Sequence, residues 1–141
     1  MEDVMDFLDF YALNALAMDI PLNPMARMEI AQDKSIDEIL CDACRGGHMN
    51  LVERMLILGA NWFDGGLQSA CRGGHMDIVE RMVVLGANDF NDGLRGACQD
   101  GHMGVVRRMV ALGATDFEKG IKEARRFPEI ATFLRVKQAK K

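Results

Sequence analysis

The feature that most constrains this chain is a 27-residue repeat. Cysteines and histidines recur at this spacing, at Cys44, Cys71 and Cys98 and at His48, His75 and His102. Residues 44–70 and 71–97 are identical at 18 of 27 positions, and residues 71–97 and 98–124 are identical at 15. Near-identical short units predict a fold in which one supersecondary element is stacked on copies of itself.

The repeat extends toward both ends of the chain. Leu13 and Met28 precede Leu40 and Met55 by 27 residues, and PEIATFLR near the C-terminus resembles HMGVVRRM after the loss of two loop residues. We therefore interpret residues 1–141 as one repeat domain. Its parts are a degenerate N-terminal capping unit (1–33), three core repeats (34–60, 61–87 and 88–114) and a C-terminal capping unit with a basic tail (115–141).

Each unit is predicted to form two short helices. Asp64, Asn91 and Glu118 are placed just before the first helix of their units, where Asp and Asn are favoured as N-caps. The apolar stripe of this helix has the spacing i, i+3, i+4 and comprises Leu67, Ala70 and Cys71. Phenylalanines are expected to anchor the loops that connect the units, at Phe63, Phe90 and Phe117.

The second helix of a unit follows a glycine pair such as Gly73-Gly74. Its apolar face repeats with the helical period and comprises Met76, Val79, Met82, Val83 and Leu85. Left-handed C-caps are expected just after it, at Gly59, Gly86 and Gly113. Because one pair of helices cannot bury such a face and stacked pairs can, we expect an all-helical solenoid.

The segment GGHMDIVERMVVLGAND (73–89) resembles the second half of an ankyrin repeat, in which Gly-His precedes an apolar helix and Gly-Ala-Asp or Gly-Ala-Asn. The unit has 27 residues where an ankyrin repeat has about 33, and Gly-Gly-Leu-Gln (65–68) replaces the usual Thr-Pro-Leu-His opening. The resemblance implies an all-α, ankyrin-like solenoid of about five stacked helix-turn-helix units, with little or no β-hairpin. The shortened unit is similar to repeats in multigene families of large cytoplasmic DNA viruses, which implies a viral protein in the host cytoplasm.

The charges of the chain are unevenly distributed around a net charge of −4. Residues 1–40 contain nine acidic and two basic side chains, whereas residues 119–141 contain eight basic and two acidic ones. The negative balance disfavours binding of nucleic acid, including through the tail RVKQAKK. No apolar run approaches the ~18 residues of a membrane span, and the acidic start does not resemble a secretory signal. We expect a cytoplasmic protein with reduced cysteines that does not enter membranes.

The repeated Cys-x-x-x-His pairs invite a metal interpretation, but each supplies two ligands where zinc takes four. A cysteine at an alanine-like helix position is ordinarily a small buried hydrophobe, and a nucleophilic cysteine needs a neighbouring base. We therefore expect no metal, no cofactor, no catalytic residue and no enzymatic activity. The recurring methionines are interpreted as core residues, and Glu80 is expected to pair with Arg107 across a repeat interface.

Positions that vary between otherwise matching units are candidates for partner recognition. The resemblance places the first helices and connecting loops on a concave face where partners dock, and Trp62, the single tryptophan, is expected to be exposed there. The candidate partner-binding residues are Trp62, Gln68, Ser69, Arg72, Asp89, Arg95, Gln99, Asp116, Lys122 and Arg126. Ordinary surface drift is the alternative explanation of the same differences.

Two functional hypotheses follow. The first is a non-enzymatic protein–protein interaction module with a rigid surface for one protein partner, a host factor if the origin is viral. The alternative is a self-assembling or structural repeat protein that associates head-to-tail through its acidic and basic ends. A monomer is expected under the first hypothesis and a salt-sensitive oligomer under the second.

Overall fold

A computed structural model describes residues 34–140, and within this range the chain is helical without any strand. Eight helices follow one another as four consecutive pairs. They are α1 (Ile36–Gly46), α2 (Met49–Ile57), α3 (Phe63–Gly73), α4 (Met76–Val84), α5 (Phe90–Asp100), α6 (Met103–Leu112), α7 (Phe117–Glu123) and α8 (Pro128–Ala139). The all-α prediction is confirmed for these residues. The capping unit expected at 1–33 lies outside them.

The first helices start earlier than the sequence suggested. Trp62, Asp89 and Asp116 occupy the N-cap positions of α3, α5 and α7. The prediction that Asp64, Asn91 and Glu118 are the N-caps is therefore wrong, because each is the second residue of its helix. In α1 the N-cap is Ser35, whose hydroxyl accepts from the Glu38 backbone while the Glu38 carboxylate accepts from the Ser35 backbone. That capping box is readable as Ser-x-x-Glu in the sequence.

Glycines with positive φ end the helices. Gly47, Gly74 and Gly101 adopt the left-handed conformation, with φ between 75° and 81°, directly after α1, α3 and α5. The predicted C-caps at Gly59, Gly86 and Gly113 also have positive φ, from 105° to 122°. L-residues with side chains rarely adopt these conformations, so the sequence can turn sharply at these positions only with glycine.

The first helices of successive pairs pack directly on one another, α1 on α3, α3 on α5 and α5 on α7. The predicted stripe Leu67, Ala70 and Cys71 is completely buried, as are its counterparts in α1 and α5. A glycine lies at each contact: a Cβ at Gly93 would lie 3.1 Å from Cys71 Sγ and 2.8 Å from Met109 Sδ. Because these glycines lack a side chain, neighbouring first helices can approach closely over the cysteine of the preceding unit.

The second helices contact the first helix of their own unit and are less closely packed on one another. Met55, Met82 and Met109 are fully buried, which confirms their assignment to the core. Met49, Met76 and Met103 are only partly buried, because each begins a second helix at the edge of the core. Phe63 and Phe90 are likewise half-buried and begin α3 and α5 instead of lying in the loops.

The last pair departs from the repeat. α7 has 7 residues where α5 has 11, so the chain reaches α8 two residues early. Phe127 is the N-cap of α8 and corresponds to His102, the N-cap of α6. Ile130, Ala131 and Leu134 are buried as Val105, Val106 and Met109 are. The segment that matches HMGVVRRM is therefore FPEIATFL, one residue earlier than predicted.

None of the helices in residues 34–140 is both long enough and apolar enough to cross a membrane.

Candidate protein-interaction surface

A repeated clamp fixes the loop that enters each new unit. One carboxylate oxygen of Asp64 accepts hydrogen bonds from the backbone amides of Asn88 and Asp89, at 2.8 and 3.0 Å. Asp37 accepts in the same way from Asn61 and Trp62. The side-chain amide oxygen of Asn91 accepts from the backbone amides of Thr115 and Asp116. The helices α1, α3 and α5 therefore each hold the loop of the following unit through two adjacent backbone donors.

Three candidate recognition residues stand on these clamped loops. Trp62, Asp89 and Asp116 occupy the same N-cap position in successive units. The Trp62 side chain is 55% exposed, as predicted. Asp89 additionally caps α5 by accepting from the Asp92 backbone at 3.1 Å. At one fixed backbone position the structure therefore presents tryptophan in one unit and aspartate in the next two.

A second row of candidates lies on the first helices. Gln68 is half-buried on α3, whereas Arg95 on α5 and Lys122 on α7 are exposed. Arg95 pairs with Asp92 one turn earlier, at 3.0 Å. Lys119 makes the corresponding approach to Asp116, at 3.7 Å. A shallow polar depression between α5 and α7 is lined by these two pairs and by Asp89 and Asn91.

The remaining candidates divide into two classes. Gln99 is exposed on α5, but Ser69 is half-buried and hydrogen-bonds with Cys41 of the preceding unit. Arg72 is also half-buried; its Nε lies 3.8 Å from Asp100 Oδ2. The prediction that Arg126 lies on a first helix is wrong, because α7 ends at Glu123 and Arg126 falls in the following turn. Ser69 and Arg72 thus face the interfaces between units.

The repeated histidines also connect neighbouring units. His48, His75 and His102 begin the second helices without capping them through their side chains. His102 Nε2 is 2.9 Å from the carbonyl oxygen of Arg72 in the preceding unit. A Cβ at Gly74 would lie 2.6 Å from the His102 ring, so the ring rests directly on that glycine. His75 and His102 therefore pack on the glycines that end the first helix of the preceding unit.

Ion pairs bridge the second helices. Arg81 binds Glu53 with two hydrogen bonds, of 2.6 and 3.0 Å, and Arg108 binds Glu80 in the same bidentate manner. The prediction that Glu80 pairs with Arg107 is wrong by one residue. Arg107 instead lies over the Phe133 ring of α8, 5.2 Å from its centroid. Among residues 34–140 no carboxylate is within ion-pair distance of Arg107.

The buried cysteines have little nucleophilic character. Burial away from water raises the pKa of Cys44, Cys71 and Cys98 from 9.0 to about 12. Burial also raises the pKa of the half-buried Cys41, against a hydrogen bond from Ser69 that lowers it. Within residues 34–140 no group of three or more His, Cys, Asp or Glu side chains is arranged to hold a metal ion.

These thiols lead to a first prediction. At pH 8 the three buried cysteines should carry about a thousandfold less thiolate than ordinary ones, so a disulfide reagent should label Cys41 first in the native protein. Because their folded pKa exceeds the unfolded value, the contribution of these thiols to the free energy of unfolding should be constant below pH 9 and fall between pH 9 and 12. Labelling followed by peptide mass mapping, with urea melts at several pH values, tests both. Rapid native labelling of Cys71 would contradict the assignment.

Comparison of the chain with protein-family models gave no match, and comparison with curated proteins gave none.

Proposed function

We propose that this chain is a non-enzymatic protein-interaction module, built as an ankyrin-like solenoid of stacked helical pairs. It presents its first helices and connecting loops to one protein partner. The resemblance to shortened viral repeats favours a host protein as that partner. The proposal concerns the face that carries Trp62, Asp89, Arg95 and Lys122.

The observation that carries this proposal is the coincidence of variable side chains with a fixed backbone. The N-cap position is Trp62 in one unit and aspartate, Asp89 and Asp116, in the next two, and positions 68, 95 and 122 carry Gln, Arg and Lys. The loop at each N-cap donates two backbone hydrogen bonds to a side chain of the preceding first helix. A surface whose frame is constant and whose side chains differ is suited to recognition of one shape. Its loops lose little freedom on binding, so contact energy is not spent on ordering them.

The chemistry of the individual residues supports the same choice. Trp and Arg are enriched among residues that dominate binding energy, and Trp62 and Arg95 are both exposed on this face. Asp92 orients Arg95 from one turn away, which leaves part of the guanidinium available to a carboxylate of the partner. The partner expected from this face carries an apolar side chain for Trp62 and an acidic group near Arg95 and Lys122.

The second prediction tests this face. The double variant Trp62→Ala with Arg95→Ala should weaken partner capture by at least about tenfold, since each side chain is expected to be a dominant contact. The melting temperature should change by no more than a few degrees, because both side chains are exposed. Affinity capture quantified by mass spectrometry identifies the partner, and titration with the purified partner gives the affinity.

A matched control is the double variant Val84→Ala with Arg135→Ala. It also removes one exposed apolar and one exposed basic side chain, but from α4 and α8 on second helices. Equal capture by the Trp62/Arg95 variant and the wild type, or equal loss in both double variants, would refute the assigned face.

A further inference from the structure

A groove between α6 and α8 is lined by both basic and apolar side chains. It consists of two adjoining cavities of about 500 and 420 Å³. Arg107 and Phe133 line the larger cavity, Arg126 and Phe127 line the smaller one, and Met103 lines both. Phe127 and Phe133 are about 9 Å apart along α8, at a rise of about 1.5 Å per residue. The groove thus has an arginine near each end and apolar side chains between them.

The ion pairs of the earlier units show what the last interface lacks. Between α2 and α4, and again between α4 and α6, a glutamate of one helix binds an arginine of the next. Arg107 takes the glutamate position in α6, and Phe133 takes the arginine position in α8. Arg107 therefore lies over an aromatic ring, and no carboxylate of residues 34–140 is within ion-pair distance of it. A guanidinium over a ring face keeps N–H donors at its edge, so Arg107 can still bind a carboxylate.

The charges around the groove are unbalanced. Lys137 also lies over the Phe133 ring, with Nζ 5.6 Å from the centroid, so two cations share one aromatic side chain. Arg126 is exposed at the other end of the groove. Among the described residues that line the cavities, Glu129 has the one carboxylate, and it forms no ion pair with Arg107 or Arg126. A ligand of this groove should therefore carry negative charge.

The apolar side chains of the groove limit the kind of anion that fits. Met103, Phe127 and Phe133 are only partly buried, and Val136, about one turn beyond Phe133, is 47% exposed. A small hydrated anion would leave these groups in water, whereas a peptide can cover them and supply carboxylates at the same time. The net charge of −4 disfavours nucleic acid, whose phosphates extend far beyond the groove. A short acidic segment of a protein satisfies both requirements.

We propose that the groove between α6 and α8 binds an acidic segment of another protein, in which two carboxylates flank one or more apolar side chains. One carboxylate pairs with Arg107 and the other with Arg126. The apolar side chains between them pack on Met103, Phe127 and Phe133. The groove lies between second helices, so it is a second interaction surface, separate from the face of first helices and loops proposed above.

The third prediction identifies the bound sequences without assuming one. Random short peptides displayed on phage and selected on the full chain should include a class with acidic residues on both sides of apolar ones. Selection on the Arg107→Glu chain should lose this class. Arg107→Glu should also weaken binding of the strongest acidic peptide at least about tenfold, because it replaces an attracting charge with a repelling one. Fluorescence anisotropy of the labelled peptide measures the affinity.

A matched variant and a matched peptide control for general electrostatics. Arg135→Glu makes the same charge change on an exposed residue of α8 outside the lining and should alter peptide affinity less than about threefold. The same peptide with its Asp and Glu replaced by Asn and Gln should bind at least about tenfold more weakly. Arg107 and Arg135 are both exposed, so the melting temperature of either variant should stay within a few degrees of the wild type.

The chain's own acidic segment is tested as an alternative occupant. Residues 2–10, EDVMDFLDF, can be neutralised in the full chain by Glu2→Gln, Asp3→Asn, Asp6→Asn and Asp9→Asn. At about 150 mM salt this change should alter peptide affinity less than about threefold. A rise of about tenfold or more would show that the chain's own segment competes for the groove, and would overturn the proposal. Self-association that Arg107→Glu abolishes would overturn it as well, in favour of a second copy.

Two further results would refute the groove as a site for acidic segments. One is a selection that returns no acidic class of peptides. The other is an acidic peptide whose binding Arg107→Glu and Arg135→Glu weaken equally. The Trp62→Ala, Arg95→Ala variant should bind the acidic peptide as the wild type does, so the two proposals fail separately.

Discussion

Replacing Gly93 with leucine should lower the free energy of unfolding by about 3 kcal/mol. Gly93 is buried where α5 crosses α3, and even a Cβ there would lie 2.8 Å from Met109 Sδ and 3.1 Å from Cys71 Sγ. Both of those side chains are completely buried, so neither can move aside without displacing other core atoms. A leucine must separate the two first helices or displace the methionine, and either response disrupts the close packing of the interface.

The same substitution elsewhere supplies the control. Gly104 lies exposed in the first turn of α6, and a Cβ there would meet nothing within 4 Å. Since leucine favours helix more than glycine does, Gly104→Leu should raise the free energy of unfolding by about 0.5–1 kcal/mol. Urea denaturation of both variants measures the difference. If the two leucines shifted the midpoint in the same direction, close helix approach at Gly93 would not be what stabilises the stack.

Replacing Asp64 with alanine should lower the free energy of unfolding by about 1–2 kcal/mol. Its oxygen accepts from two backbone amides of the next unit, and alanine would leave both donors to water. Because these two hydrogen bonds are exposed, water can hydrate the amides that lose their acceptor. The loss of stability should therefore be smaller than for two buried hydrogen bonds to a charged group. The loop that carries Asp89 should also become mobile, and hydrogen exchange at Asn88 and Asp89 should accelerate.

Two variants isolate the clamp from the charge. Asp64→Asn should be nearly neutral, because Asn91 makes the same two contacts with an amide oxygen in the following unit. Glu118→Ala removes an acidic side chain from the equivalent position of α7, where no further unit follows within the described residues, and should change stability little. A large loss in Glu118→Ala, or a loss in Asp64→Asn as great as in Asp64→Ala, would argue against the clamp.

The sequence predicts the parts of this fold that depend on local patterning. Helix pairs, turns at Gly74 and Gly86, and the buried stripe through Leu67 and Cys71 all follow from a short period and from the special conformations of glycine. Each of these features is determined within a few residues. Their repetition makes the assignment stronger, because every unit repeats the same local choice.

The errors concern groups whose partners lie in another unit. Aspartate is a favoured N-cap residue, but the Asp64 carboxylate accepts hydrogen bonds from backbone amides 24 and 25 residues later. Local capping rules do not anticipate so distant a partner. Glu80 binds Arg108 instead of its neighbour Arg107, because the choice depends on how α4 and α6 are rotated relative to one another. The early start of α8 depends on the shortening of α7, which the degenerate sequence of the last unit hides.

The candidate surface was predicted in the same uneven way. Exposure of Trp62, Arg95 and Lys122 follows from their variation at otherwise matching positions. Ser69 and Arg72 vary similarly and yet face neighbouring units, because residues at the rim of an interface can differ as long as their counterparts adjust. Position in the repeat therefore locates the surface, and only packing shows which of its residues a partner can reach.

The clamp gives the array a direction. Within residues 34–140, α1, α3 and α5 each offer an acceptor to the loop of the unit after them, so the three junctions of this range share the same chemistry. Duplication of 27 codons inside the gene would insert a module whose incoming and outgoing bonds are already matched. Growth past α8 would not, since Thr132 of α8 occupies the position of Glu53 and Glu80, whose carboxylates bind the arginine of the next unit. Lengthening of such a gene during evolution is thus confined to its interior.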